Sequence, residues 1–136
     1  MKDKVKDFWP GINKSRILRV VNSVLPKSKA VREFSLVFVS PAQMAELNKK
    51  YRGYSGPTNI LSFEEGPSNE LGAGDVVICP TVVRQEAKKY SFTQKNWMTR
   101  LVVHGILHLA GYGHERPRDI LDMEKAEREA LVLLGF

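Results

Sequence analysis

Residues 93–114, TQKNWMTRLVVHGILHLAGYGH, carry the longest apolar helical pattern of the chain and all three of its histidines. His104 and His108 are four residues apart, so on a helix both imidazoles project from one face, one turn apart. Two ring nitrogens placed in this way can reach one metal ion at about 2.0–2.1 Å. The stretch therefore predicts a long helix that presents a pair of metal ligands.

The third histidine lies beyond the predicted end of this helix. Gly111 stops the helical pattern, because glycine tolerates the left-handed conformation that closes a helix. We expect Gly113 to give the following turn further freedom. The chain can then fold back and bring His114 to the same ion as the other two histidines.

A single metal site formed by His104, His108 and His114 follows from this arrangement. Three neutral nitrogen donors favour Zn²⁺, with nickel, copper or iron as other occupants. Three protein ligands leave a fourth position for water or substrate, which is typical of a catalytic rather than a structural zinc site. Bound zinc can lower the pKa of water to about 7 and so provide hydroxide at neutral pH.

The remaining sequence predicts one α+β domain over residues 1–136, with a small mixed β-sheet packed against helices and a zincin-like metal helix. Strands are predicted at 34–39, 59–63 and 75–79. Helices are predicted at 17–25, from the Ser40-Pro41 cap to near Tyr51, from Pro80, over 93–110, and from Pro117 to near Leu134.

Composition indicates the kind of partner. The net charge of +6 favours polyanions, above all nucleic acid, because phosphate contacts release counterions. The one cysteine, Cys79, excludes an internal disulfide, and we expect it to be a buried, inert thiol. We see neither a signal peptide nor a run of eighteen apolar residues, and therefore expect a cytoplasmic protein that does not contact membranes.

The histidine spacing is also that of the metzincin proteases, and Met123 lies downstream where a methionine can underlie the site. Those enzymes carry a glutamate directly after the first histidine, which is the general base for peptide hydrolysis. Here Gly105 occupies that position and has no side chain. A metallopeptidase would need another acid as its base, such as Glu115.

Three blocks of the sequence resemble the bacterial YbeY-type endoribonucleases, which are rRNA maturation factors. They are HGILHLAGYGH at 104–114 with Met123 nine positions beyond, YRGYSGPTNILSF at 51–63, and GDVVIC at 74–79. The resemblance runs from about Phe34 to Phe136. One departure is Gly113, where the family usually has an aspartate that would contribute to metal affinity or rate.

The resemblance implies that the three histidines bind one zinc ion and that Arg52 takes part in RNA cleavage, with His114 counted as catalytic as well as a ligand. Planar, bidentate donors suit Arg52 to hold the scissile phosphate. The implied activity is single-strand-specific cleavage of rRNA precursors, especially at the 3′ end of small-subunit rRNA, with a role in ribosome quality control. Its partners would be the rRNA precursor and the small ribosomal subunit, with no DNA.

Four further residues are expected to support the ligands or bind substrate: Asn59, Ser62, Asp75 and Met123. Asn59 and Ser62 either point at the cleft or bond only to backbone, and Asp75 either orients a ligand or ends a turn. Tyr112 is a candidate for stacking on bases, whereas Trp97 is assigned to the core. Five basic residues either extend a phosphate-binding surface or form a solvated face: Lys49, Lys50, Arg84, Lys88 and Lys89.

Besides the endoribonuclease and the metallopeptidase, a third class of function remains open. The protein could be a ribosome-assembly factor whose main work is binding, with a mainly structural zinc. RNA cleavage, casein cleavage and their response to a chelator separate the three classes.

Overall fold

The computed structural model describes residues 5–64, 74–113 and 116–136. The strands are β1 (Val5–Lys6), β2 (Phe34–Phe38), β3 (Ile60–Phe63) and β4 (Gly74–Ile78). The helices are α1 (Lys14–Ser23), α2 (Pro41–Arg52), α3 (Pro80–Lys89), α4 (Gln94–Leu109) and α5 (Pro117–Leu133), with a short 3-10 helix at Lys27–Lys29. None of the described helices is long and apolar enough to cross a membrane.

The four strands form one mixed sheet in the order β1-β2-β4-β3. β2 and β4 pair in parallel, with Phe34 opposite Gly74 and Phe38 opposite Ile78. β1 pairs with β2 and β3 pairs with β4 in antiparallel fashion. The prediction of an α+β fold with a small mixed sheet is confirmed.

Both faces of the sheet are covered, because alternate residues of a strand point to opposite sides. On β4, Val76 belongs to the main core with α1, α4 and α5, whereas Val77 belongs to a smaller cluster on the other face. α2 closes that smaller cluster with Met44. Cys79 is fully buried there as a free thiol, as the sequence indicates.

Several helix boundaries follow local sequence signals. Ser40 accepts a hydrogen bond from the backbone N–H of Gln43, whose side chain in turn accepts one from the backbone N–H of Ser40, so α2 begins with a complete capping box. Gly111 has a φ of +100°, the conformation expected at the end of the histidine helix. Gly113 does not take a positive φ. The expectation that this turn depends on the conformational freedom of Gly113 is therefore not confirmed. The two-residue strand β1 carries no sequence signal and was not predicted.

Gly105 brings α4 against the sheet. A Cβ atom at this position would lie 2.9 Å from Cγ1 of Val76, 3.0 Å from Cδ1 of Ile60 and 3.1 Å from Oγ of Ser62. A side chain here would force the helix or its neighbours to shift, because real Cβ atoms essentially never make contacts below 3.0 Å and rarely make contacts of 3.0–3.1 Å. The glycine therefore sets the distance between the histidine helix and β3.

Candidate metal centre and cleft

A cleft of about 720 Å³ opens beside the histidine helix. It joins segments that are far apart in the sequence: the end of α2, the strand β3 with the residues before it, and the last turns of α4. The described residues that line it are Tyr51, Arg52, Thr58, Asn59, Ile60, Leu61, Ser62, Phe63, Glu64, His104, His108, Leu109 and Tyr112. The fold thus brings two of the predicted ligands and Arg52 to one cleft.

The two described histidines face each other through their Nε2 atoms, which lie 3.0 Å apart. The Nδ1 atom of His104 lies 3.1 Å from Oε2 of Glu127, and Nδ1 of His108 lies 2.9 Å from the backbone oxygen of Tyr112. Each imidazole is therefore fixed by a hydrogen bond at its Nδ1 atom, and the two Nε2 atoms converge. Ligand histidines in metalloproteins are held in this way, with the second nitrogen bonded to a carboxylate or a carbonyl.

These hydrogen bonds assign the protons on the rings. A backbone carbonyl and a carboxylate only accept hydrogen bonds, so both Nδ1 atoms are the donors and each neutral ring keeps a lone pair on Nε2. Two lone pairs at 3.0 Å repel one another unless a proton or another cation lies between them. Two nitrogens on a tetrahedral zinc ion would be about 3.3 Å apart. The pair fits a shared metal ion.

The third predicted ligand, His114, lies outside the described residues, as does Glu115. Within the described ranges, no group of three histidine, cysteine, aspartate or glutamate side chains is placed to hold a metal ion. The described part of the chain thus presents two converging nitrogen donors, and the complete ligand set stays a prediction.

Glu127 is a functional candidate that the sequence reasoning missed. It lies on α5, 23 residues from His104, and its side chain is two-thirds buried beside that ring. The sequence did contain a signal, because the buried face of α5 can be recognised from the spacing of Met123, Ala126 and Ala130. Glu127 lies four residues from Met123, at the edge of that face. An acid next to an apolar helix stripe is too common a pattern to have singled it out.

Arg52 is the last residue of α2 and lines the same cleft. Gly53 follows it with a φ of +74° and ends the helix in a left-handed cap. The turn places the ring of Tyr54 against the arginine, whose guanidinium carbon lies 4.9 Å from the ring centroid. The Arg52 side chain is exposed to solvent and so remains able to reach a phosphate.

Asn59 and Ser62 also line the cleft, but their described hydrogen bonds go to protein. The Asn59 amide donates to Oε1 of Glu86 on α3 at 2.9 Å. The Ser62 hydroxyl donates to the backbone oxygen of Gly105 at 3.4 Å and so ties β3 to the histidine helix. Both contacts position the cleft walls.

Asp75 and Met123 are not among the described residues that line the cleft. Asp75 is buried on β4, opposite Ser35 and Phe63 in the sheet. Met123 is buried in the main core. Met123 lies one helical turn before Glu127, on the face of α5 that packs against the histidine helix.

Tyr112 is wrongly predicted as a base-stacking residue. Its side chain is only 7% exposed, and the Lys29 ammonium lies 4.7 Å from its ring centroid. Burial raises the pKa of the Tyr112 phenol, and the negative charges of Asp122 and Asp119 raise it further. The neutral tyrosine supplies its backbone oxygen to His108 instead.

The other aromatic and basic candidates differ in where they lie relative to the core and to the cleft. Trp97 packs against the main core, as expected, and its Nε1 donates to Glu86 at 3.1 Å. Lys49 and Lys50 are exposed beside Arg52 at the end of α2. Arg84, Lys88 and Lys89 are exposed on α3 and are not among the described residues that line the cleft.

Comparisons with known proteins identify the family of this chain. The family model described as Endoribonuclease YbeY matches residues 6–135. A Bartonella quintana (strain Toulouse) protein named Endoribonuclease YbeY is 36% identical over 126 residues, which cover 89% of this chain and 80% of that protein. The solution structure of TM1509 from Thermotoga maritima is similar with a TM-score of 0.55 and 25% identity, covering 89% of this chain and 80% of that one. Because the family model spans nearly the whole sequence, this chain belongs to the endoribonuclease YbeY family.

Proposed function

We propose that this protein is a zinc-dependent endoribonuclease that cleaves single-stranded RNA. The observation that carries the proposal is the convergence of the His104 and His108 Nε2 atoms, 3.0 Å apart, in a cleft that Arg52 also lines. A cation site next to an exposed guanidinium suits a phosphodiester, because both groups offset negative charge on phosphate. The family to which the chain belongs supports the same activity.

His104, His108 and His114 would hold the zinc ion. When bound, the ion supplies a Lewis acid that stabilises negative charge on a phosphate oxygen. Glu127 and the Tyr112 carbonyl keep the two described imidazoles in the tautomer whose Nε2 lone pair faces the site. The protein groups around the ion therefore fix the ligand geometry before substrate arrives.

Arg52 binds the scissile phosphate in this proposal. Its guanidinium carries up to five N–H donors in one plane, which match two oxygens of a phosphate. Its position at the exposed end of α2 leaves that plane accessible from the cleft. Charge that develops on the phosphate in the transition state is then offset by a permanent positive charge.

Peptide cleavage has less support from the site. Position 105 faces Val76, Ile60 and Ser62 at contact distance, so a glutamate there could not be accommodated without moving α4 away from the sheet. The general base of the metzincin proteases is thus missing from the helix that carries their ligands.

The substrate we propose is precursor rRNA, especially the 3′ end of small-subunit rRNA, with the small ribosomal subunit as partner and ribosome quality control as a second role. We place the protein in the cytoplasm. The net charge of +6 supports a polyanionic substrate.

The test is a cleavage assay of the purified protein on single-stranded RNA, duplex RNA and casein, before and after removal of metal by a chelator. We expect cleavage of single-stranded RNA alone, loss with the chelator and recovery with added zinc. The matched variant His104→Ala/His108→Ala should be inactive. Equal cleavage by that variant, cleavage unaffected by the chelator, or cleavage of casein would each contradict the proposal.

A further inference from the structure

Two exposed tyrosines lie on either side of Arg52 in the sequence, where the cleft meets the end of α2. We propose that Tyr51 and Tyr54 form a stacking surface for unpaired nucleic-acid bases, and that this surface makes the cleft prefer single strands. The inference rests on the proposed endoribonuclease function and names the residues that would select its substrate. Neither tyrosine ring is part of the hydrophobic core.

Tyr54 offers an open ring next to the phosphate-binding group. Its side chain is 59% exposed, and the guanidinium of Arg52 lies over the ring at 4.9 Å from the centroid. Stacking of this kind uses the flat face of the guanidinium and leaves the N–H groups at its edge to bind phosphate. A base that stacks on the exposed part of the ring would therefore bring its phosphate close to Arg52.

Tyr51 offers a second ring on the cleft wall. It is 43% exposed, and Phe63 of β3 supports it edge-on, with the ring centroids 4.9 Å apart. The ammonium of Lys50 lies 5.2 Å from the Tyr51 centroid. The ring is thus fixed by contacts to the sheet and bordered by a cation, which is the usual composition of sites that bind single strands.

Exposed rings of this kind discriminate between strand types. Bases in a duplex are already stacked on their neighbours, whereas unpaired bases can be splayed onto aromatic side chains. Stacking depends little on sequence, because every base has a flat face. Among the described residues, the Tyr112 ring is only 7% exposed, so the proposed surface consists of the two exposed tyrosines and the cations beside them.

Tyr90 provides a matched control elsewhere on the protein. It is 49% exposed and has the ammonium of Lys89 at 5.6 Å from its ring centroid, so its exposure and its cation resemble those of Tyr51. Neither Tyr54 nor Tyr90 is among the described residues that line the cleft, but Tyr54 contacts Arg52, which lines it, whereas the described ring contacts of Tyr90 are to Lys89 and Trp97. Removal of the Tyr90 ring tests whether any exposed tyrosine on a basic protein contributes to binding.

The experiment measures the affinity of the zinc-loaded protein for a labelled single-stranded 2′-O-methyl oligoribonucleotide, whose integrity is checked on a gel afterwards. A second strand carries abasic spacers and keeps the phosphates. We expect Tyr51→Ala and Tyr54→Ala each to weaken binding of the base-bearing strand about tenfold and to leave binding of the abasic strand unchanged. Tyr51→Phe and Tyr54→Phe should restore wild-type binding, and Tyr90→Ala should have no effect.

Two results would overturn the inference: wild-type affinity in both alanine variants, or equal losses on the base-bearing and abasic strands. The phenylalanine variants and a circular dichroism spectrum separate a lost ring from a lost fold. The outcome is distinct from that of the proposed function. A protein that cleaves RNA but binds equally well without these rings refutes the stacking surface alone, whereas one that stacks bases without cleaving refutes the activity alone.

Discussion

Two regions of the cleft hold their functional side chains in different ways. The histidine floor, which consists of His104, His108 and Glu127, is partly buried. The Nδ1 atom of His104 is hydrogen-bonded to Glu127 at 3.1 Å, and that of His108 to the backbone oxygen of Tyr112 at 2.9 Å. The tyrosine–arginine rim, which consists of Tyr51, Arg52 and Tyr54, is exposed and held by ring contacts of 4.9 Å. Both regions line or border the same cleft, but only in the floor do hydrogen bonds fix the direction of the functional side chains, namely the two imidazoles.

The difference matches the tasks that we assign to the two regions. Metal ligation tolerates only small errors in distance, so the floor needs hydrogen bonds that set each ring before the ion binds. A single strand of RNA is flexible and can adapt to the protein, so the rim needs exposed rings and charges more than fixed directions. The following variants separate the two tasks.

The largest effect is expected at the rim, where Arg52→Ala should lower the rate of RNA cleavage about 10²–10³-fold, because a charge that offsets the transition state is lost. Zinc content should stay at the wild-type value, since no described contact joins Arg52 to the floor. Lys49→Ala, an exposed cation in the same helical turn, is the control and should cleave at nearly the wild-type rate. Loss of zinc in Arg52→Ala, or cleavage at the wild-type rate, would contradict the division between floor and rim.

At the floor, Glu127→Ala should weaken zinc binding by about 10–100-fold, because His104 loses the group that orients its ring. Glu127→Gln should retain part of the affinity, since an amide oxygen also accepts the Nδ1–H bond. Competition with a chelating dye measures both variants. Glu124→Ala, an exposed acid on the same helix, should bind zinc as the wild type does. An unchanged affinity in Glu127→Ala would show that the contact does not support the ligand.

The spacing between the histidine helix and the sheet should be sensitive to one methyl group. Gly105→Ala should cost about 1–3 kcal/mol through overpacking against Val76, while alanine's better helix propensity returns about 1 kcal/mol. Because the nearest contact is below 3.0 Å, the overpacking cost should lie in the upper part of that range, and we expect the free energy of unfolding to fall by about 1–2 kcal/mol in urea denaturation. Gly113→Ala, which meets no described atom within 4 Å, is the control. Equal stability of the two variants would mean that α4 can move without cost.

The smallest effect concerns pH. The pKa of Tyr112 is raised in the folded protein by burial and by Asp122 and Asp119, above the ordinary value of 10.0. Well below pH 10 the phenol is neutral in both states. Above it, the unfolded chain ionises first, so the wild type should lose stability relative to Tyr112→Phe. Urea midpoints at about pH 8 and about pH 10.5 measure this, and a stability difference that does not change with pH would contradict it.

The sequence predicted the parts of this site that depend on neighbours along the chain. The spacing of His104 and His108 and the stop at Gly111 are local properties of one helix, and the structure has them as expected. Likewise, the strand β2 and the Ser40 cap of α2 follow from a few adjacent residues. These features need no knowledge of the tertiary fold.

The parts that the sequence could not supply depend on packing between distant segments. Glu127 reaches His104 only because α5 lies against α4, and the contact spans 23 residues. We assign base stacking to Tyr51 and Tyr54 rather than to Tyr112, because the whole fold decides which side chains are exposed. In the sequence, Gly105 is notable because it replaces the glutamate base of the metzincin proteases. In the structure, it is the point at which α4 contacts the sheet.

The central claim, that the converging histidines hold a metal ion, is tested most directly by the zinc content of purified protein, wild type against His104→Ala/His108→Ala. Elemental analysis after equilibration with zinc and removal of excess should give one ion per chain for the wild type and none for the variant. A variant that retains one ion, or a folded wild type that retains none, would contradict the account.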